Sequence, residues 1–147
     1  MERPLWRLFS GMKLDFYKGL FTRQKKTGTL SASEVFSLDV IRLMGRPTIG
    51  AFANFINVPL SNATYKINTL IEKGFIRKRK SEKDKREFYL ELTEKYANIE
   101  LDGMRQQAVM ERVEKRLSPH QLKVLEQILV IVDEEIANET LNKEKTL

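Results

Sequence analysis

The sequence contains no cysteine, which removes disulfides, thiolate zinc sites and cysteine-based redox sensing from consideration. The same absence fits a reducing compartment, so a cytoplasmic location is expected. A single histidine, His120, leaves little material for an imidazole base or a histidine-ligated metal, and no metal or cofactor is expected. Ser-His-Asp, metal-ligand and phosphate-loop patterns are also missing, so the chain does not read as an enzyme. No apolar run approaches the roughly 18 residues of a membrane span. Residues 1–20 interleave Arg3, Arg7, Lys13, Asp15 and Lys18 with apolar residues and lack the apolar core of a signal peptide.

What remains is ordinary globular material with an uneven charge. Apolar residues make up 41% of the 147 positions and charged residues 31%, enough for one domain or a small module on a helical framework. Residues 61–86 hold nine bases (Lys66, Lys73, Arg77, Lys78, Arg79, Lys80, Lys83, Lys85 and Arg86) against the acids Glu72, Glu82 and Asp84. That segment carries the whole net charge of +6, and the rest of the chain is balanced. Such concentration is the footprint of phosphate neutralisation, the alternative being a solvated basic surface.

Periodicity places the elements. Leu5, Leu8, Phe9, Met12, Phe16, Leu20 and Phe21 form a helical stripe over 4–25, ended by basic residues and Gly28. Ser31 and Glu34 have capping-box spacing, and a second helix follows through Met44 to a stop at Gly45-Arg46-Pro47. Two short helices come next, Ile49 to Ile56 and a second capped by Ser61 and ending at Gly74, around the turn Asn57-Val58-Pro59. The period then changes to two strands, 75–80 and 87–92, joined by the charged loop 81–86. Thr93 is expected to cap one long helix from about Glu94 to Arg116. Ser118-Pro119-His120-Gln121 opens a last helix whose apolar residues run nearly all round, so it needs covering.

This order of elements, with the residues from about Ser33 to Thr93, resembles the MarR (multiple antibiotic resistance regulator) family. Ser61 to Leu70 resembles the family's recognition helix, Glu72-Lys73-Gly74-Phe75-Ile76 its helix-to-strand junction, and Asp84-Lys85-Arg86 followed by Leu92-Thr93 its wing. Tyr65 departs from the pattern where many members carry a basic residue, so base preference cannot be copied from a relative. The resemblance implies a mainly α fold with a small β-wing. A winged helix-turn-helix DNA-binding domain is expected over 31–93, with 1–30 and 94–147 forming a helical dimerisation region. It implies a homodimeric, sequence-specific regulator of transcription, a repressor by default, on a near-palindromic double-stranded DNA operator. A winged-helix adaptor for protein or RNA is the alternative, since a fold does not fix a function.

In that reading the recognition helix offers Ser61, Asn62, Thr64, Tyr65, Lys66, Asn68 and Thr69 to the major groove, where each base pair shows a distinct donor and acceptor pattern. Asn62 suits adenine, Lys66 suits a phosphate, and Ser61 serves equally as a cap. The wing offers Lys80, Lys83 and Lys85 to phosphates and Arg86 to a narrow minor groove, with Asp84 holding the Arg86 side chain or simply bracing the hairpin. By resemblance alone, a small aromatic or anionic effector is expected between the two regions. Phe16, Tyr17, Phe21 and Phe36 are its candidate pocket, with ordinary core as their plainer role.

Overall fold

A computed structural model describes residues 3–98 and 102–144, in two compact units, 1–101 and 102–147. In the first, α1 (Pro4–Thr27), α2 (Ala32–Met44), α3 (Ile49–Phe55) and α4 (Leu60–Glu72) precede an antiparallel hairpin of β1 (Ile76–Lys80) and β2 (Phe88–Leu92), then one turn of helix, α5 (Glu94–Ala97). The second holds α6 (Asp102–Glu114) and α7 (Pro119–Glu144).

Local chemistry explains most of the boundaries. Ser31 Oγ accepts the Glu34 N–H at 3.2 Å while Glu34 Oε2 accepts the Ser31 N–H at 2.7 Å, the expected capping box of α2. Ser118 and Gln121 repeat the box at α7, at 2.9 and 3.2 Å. Thr48 caps α3 by accepting the Ala51 N–H at 3.1 Å, which the sequence reading had not singled out. Gly74 leaves α4 at φ 81, a left-handed conformation that costs glycine little, and lets the Phe75 N–H return to the Leu70 carbonyl at 2.9 Å.

Two expectations are corrected. Ser61 does not cap α4, because the helix begins one residue earlier. Pro59 is the N-cap; its carbonyl accepts the Asn62 and Ala63 N–H groups, and Ser61 sits inside the first turn, exposed. Nor is 94–116 described as one helix: α5 ends at Ala97, α6 is described from Asp102, and residues 99–101 of the expected helix lie outside the described residues. Thr93 starts α5 with its carbonyl, but its hydroxyl donates to the Gly74 carbonyl at 2.6 Å instead of capping. Tyr96, one turn on, is buried with its hydroxyl toward Asp39 of α2, so α5 is fastened to the core as a short clamp.

The core of the first unit is one cluster. Val35, Leu38 and Ile41 of α2, Phe52 and Ala53 of α3, Ala63, Ile67 and Leu70 of α4, and Phe75, Ile76 and Leu90 of the hairpin are buried together. These contacts hold α4 on one side and the wing on the other in fixed relation. Pro47 and Thr48 add a short connection to β2, through the Leu90 N–H to the Pro47 carbonyl at 2.8 Å and a bridge to Tyr89.

Candidate nucleic-acid interface

The period of α4 divides its residues cleanly. Ala63, Ile67 and Leu70 face the core, and Ser61, Asn62, Tyr65 and Asn68 occupy the opposite face, exposed, with Tyr65 at 76%. Thr64, Lys66 and Thr69 flank that face, half-buried. Local bonds already engage the flanking groups. The Thr64 hydroxyl donates to the Leu60 carbonyl at 2.8 Å, the Thr69 hydroxyl to Tyr65 at 3.1 Å, and Lys66 Nζ to Ser33 Oγ at 3.0 Å. The side chains of Ser61, Asn62 and Tyr65 stand on the exposed face apart from those local bonds.

The wing tip is built by two side chains. Buried Ser81 accepts the Lys83 and Asp84 N–H groups at 3.2 Å, and its own N–H donates to the Glu87 carbonyl at 3.0 Å. Asp84 accepts the Arg86 backbone N–H at 2.9 Å. The bond shown for this carboxylate thus runs to the main chain of Arg86, aiming the residue through its backbone. Lys80, Lys83, Lys85 and Arg86 all stand exposed around this turn.

The basic segment is sorted by what each cation touches. Lys73 turns back to Glu34 at 2.7 Å and to the Thr29 carbonyl at 2.9 Å. Arg77 and Arg79 bond Glu91 at 2.9 and 3.1 Å, and Arg46 joins them from the turn after α2. Lys78, by contrast, reaches Asn68 Oδ1 on α4 at 3.3 Å and links wing to helix. Six of the nine bases have no carboxylate partner in these contacts, and Lys78 belongs with them although the sequence reading passed over it. Strand alternation held the signal, because Lys78 and Lys80 share a face with buried Ile76. The hydrogen bond from Arg77 and the charges of Arg46, Arg79 and Arg77 hold the Glu91 carboxyl below the usual carboxylate range against its desolvation. Partial burial pushes Glu34 up, but its bonds to Lys73 and Ser31 outweigh that and leave it lowered too.

The four aromatic residues expected at an effector pocket differ in burial. Phe16 packs on the core and meets Tyr17 edge-on at 5.7 Å, while Tyr17, Phe21 and Phe36 are exposed. A cavity of about 330 Å³ lies elsewhere, lined by Ile41, Arg42 and Gly45 of α2 and its end, by Arg46 and Arg77, and by the β2 residues Leu90, Glu91 and Leu92. His120 is exposed, and among the described residues no group of three or more potential ligands could hold a metal ion. Nor is any described helix long and apolar enough to cross a membrane.

A short helix pair with an open polar face, followed by a tied, cationic hairpin, defines a winged helix-turn-helix protein. Residues 30–88 match the model of the MarR family. The fold is similar to FabT from Streptococcus pneumoniae in complex with DNA (23% identity, 90% of this chain and 96% of that one, TM-score 0.55). It is also similar to a mutant MarR from E. coli complexed with operator DNA (23%, 88% and 93%, 0.51), and to a MarR-like transcriptional regulator from Thermotoga maritima (17%, 93% and 99%, 0.58). No curated protein matches the sequence.

Proposed function

We propose that the chain is a transcriptional regulator that reads double-stranded DNA as a homodimer and acts as a repressor. The observation that carries the reading is the juxtaposition, in one packed unit, of the exposed face Ser61, Asn62, Tyr65 and Asn68 with a wing bearing Lys80, Lys83, Lys85 and Arg86. The first is suited to base edges in the major groove, the second to phosphates and an adjacent minor groove. The match of residues 30–88 to the MarR family model and likeness to two structures that contain DNA support the same assignment. The dimer is supported by uncovered apolar residues on both outer helices, among them Leu5, Trp6, Leu8 and Met12 of α1 and Ile128, Leu129, Ile131 and Ile136 of α7. Release by a small aromatic or anionic effector would act by favouring a spacing of the two recognition helices that does not fit the operator.

Fluorescence anisotropy tests this reading on the duplex upstream of the protein's own gene, against a scrambled duplex. The upstream duplex is expected to bind at least about 10³-fold more tightly at physiological salt. Absence of binding to either duplex at low salt overturns the regulator and favours an adaptor for protein or RNA.

A further inference from the structure

The two-stranded wing has two faces of different character. The register pairs Arg77 with Glu91 and Arg79 with Tyr89, so these four side chains share the outer face. Ile76, Lys78, Lys80, Phe88, Leu90 and Leu92 share the other, which packs on the helices at its root and carries Lys78 to α4. On the outer face Glu91 is only 6% exposed, because three guanidinium groups cover it. Arg77 and Arg79 each direct Nε at the carboxylate, at 2.9 and 3.1 Å. Arg46 adds a terminal nitrogen from a residue held at φ 57, a left-handed conformation rare for a side chain of its size.

We propose that Glu91 withholds Arg46, Arg77 and Arg79 from nucleic acid, confining phosphate contact to the wing tip and the side of the wing that adjoins α4. The inference rests on the DNA-reading function proposed above. Three guanidinium groups on a free strand face would be a second, sequence-indifferent phosphate surface, competing with the orientation in which α4 meets base edges. Turning any of them toward a phosphate removes a partner from a desolvated carboxylate, which opposes the move. A surplus of two positive charges remains and still attracts DNA at long range, but Nε of Arg77 and Arg79 and one terminal nitrogen of Arg46 are engaged by the carboxylate. Glu91 is thus a positioning residue, acting on DNA through the arginines it holds.

Adjacent residues on opposite faces give the test, since Arg79 and Lys80 are both exposed and neither substitution leaves a buried hole. The full chain is titrated with scrambled duplex by anisotropy across a salt series. Lys80→Gln is expected to reduce the log-log salt slope by about 0.9, the value for one neutralised phosphate, while Arg79→Gln leaves it unchanged. Glu91→Gln is expected to steepen the slope by about 1 to 3 as the guanidinium groups are released, and to tighten scrambled-duplex binding about tenfold at low salt. Should Glu91→Gln fail to fold, the Arg79 and Lys80 pair decides alone. Equal slope losses for those two variants, or a loss at Arg79 only, overturn the proposal while leaving DNA binding intact. A wild-type chain that binds neither duplex overturns the DNA-reading function, and this inference with it.

Discussion

Arg86 shows how one residue acquires a direction. Its side chain is exposed, but its backbone N–H is held by Asp84 at 2.9 Å, and the Asp84 N–H is held in turn by buried Ser81. Two small polar side chains therefore fix the path of the tip before any ligand arrives, which lowers the ordering cost of binding. Removal of the Arg86 side chain leaves those bonds in place, so stability should hardly change. Arg86→Ala is expected to weaken upstream-duplex binding by roughly 1–3 kcal/mol, with the thermal midpoint moved by less than about 2 °C. Anisotropy and a melting curve on the same preparation check both. A normal affinity would remove Arg86 from the interface. The pairing of Asp84 with the main chain, not legible in the residue types, follows from the turn geometry: Asx side chains readily reach the amide two residues on.

At the scale of elements, α2 is anchored to the end of α4 through Glu34, which serves two structures at once. One oxygen closes the capping box with the Ser31 N–H, and the other accepts from Lys73 at the end of α4. The folded-state pKa of Glu34 is lowered, so its stabilising contribution is fully present above the unfolded value of about 4.3 and is lost as pH falls through the lower folded value. Urea midpoints measured from pH 7 to pH 3 should therefore fall more steeply for the wild type than for Glu34→Gln, with most of the difference below about pH 4.5. Equal slopes would show that the pair adds nothing. The box itself was legible in Ser31-x-x-Glu34, as were the strands in the alternation of Phe88, Leu90 and Leu92, because both depend on residues close in sequence. The misplaced cap at Ser61 had a local cause as well: proline at position 59 supplies a backbone start that needs no hydroxyl. The end of α5 at Ala97 was not legible. Beside it Tyr96 is buried with its hydroxyl toward Asp39, 57 positions away, a tertiary contact that periodicity cannot report. The sorting of the basic residues was hidden for the same reason, since Glu91 and Glu34 meet their partners only in the fold.

At the scale of the whole molecule, stability and recognition make separate demands. The cluster around Phe52, Ile67 and Leu90 satisfies the winged unit by itself, whereas α7 presents Ile128, Leu129, Val130, Ile131 and Ile136 to solvent and the first half of α1 does the same with Leu5, Trp6 and Leu8. Apolar stripes of that length need a cover, and in the proposed dimer a second copy supplies it while setting two recognition helices about 34 Å apart. Two linked readers gain affinity for a near-palindromic site without any new contact, commonly by 10²–10⁴-fold. The double substitution Leu129→Glu and Ile136→Glu places charge on the exposed stripe and leaves the winged core untouched. It is expected to give a monomer in sedimentation velocity and to reduce upstream-duplex affinity by about 100-fold or more, with a much smaller loss on scrambled DNA. A wild-type chain that sediments as a monomer and still discriminates the two duplexes would separate recognition from dimerisation, and would leave the apolar face of α7 to some other partner.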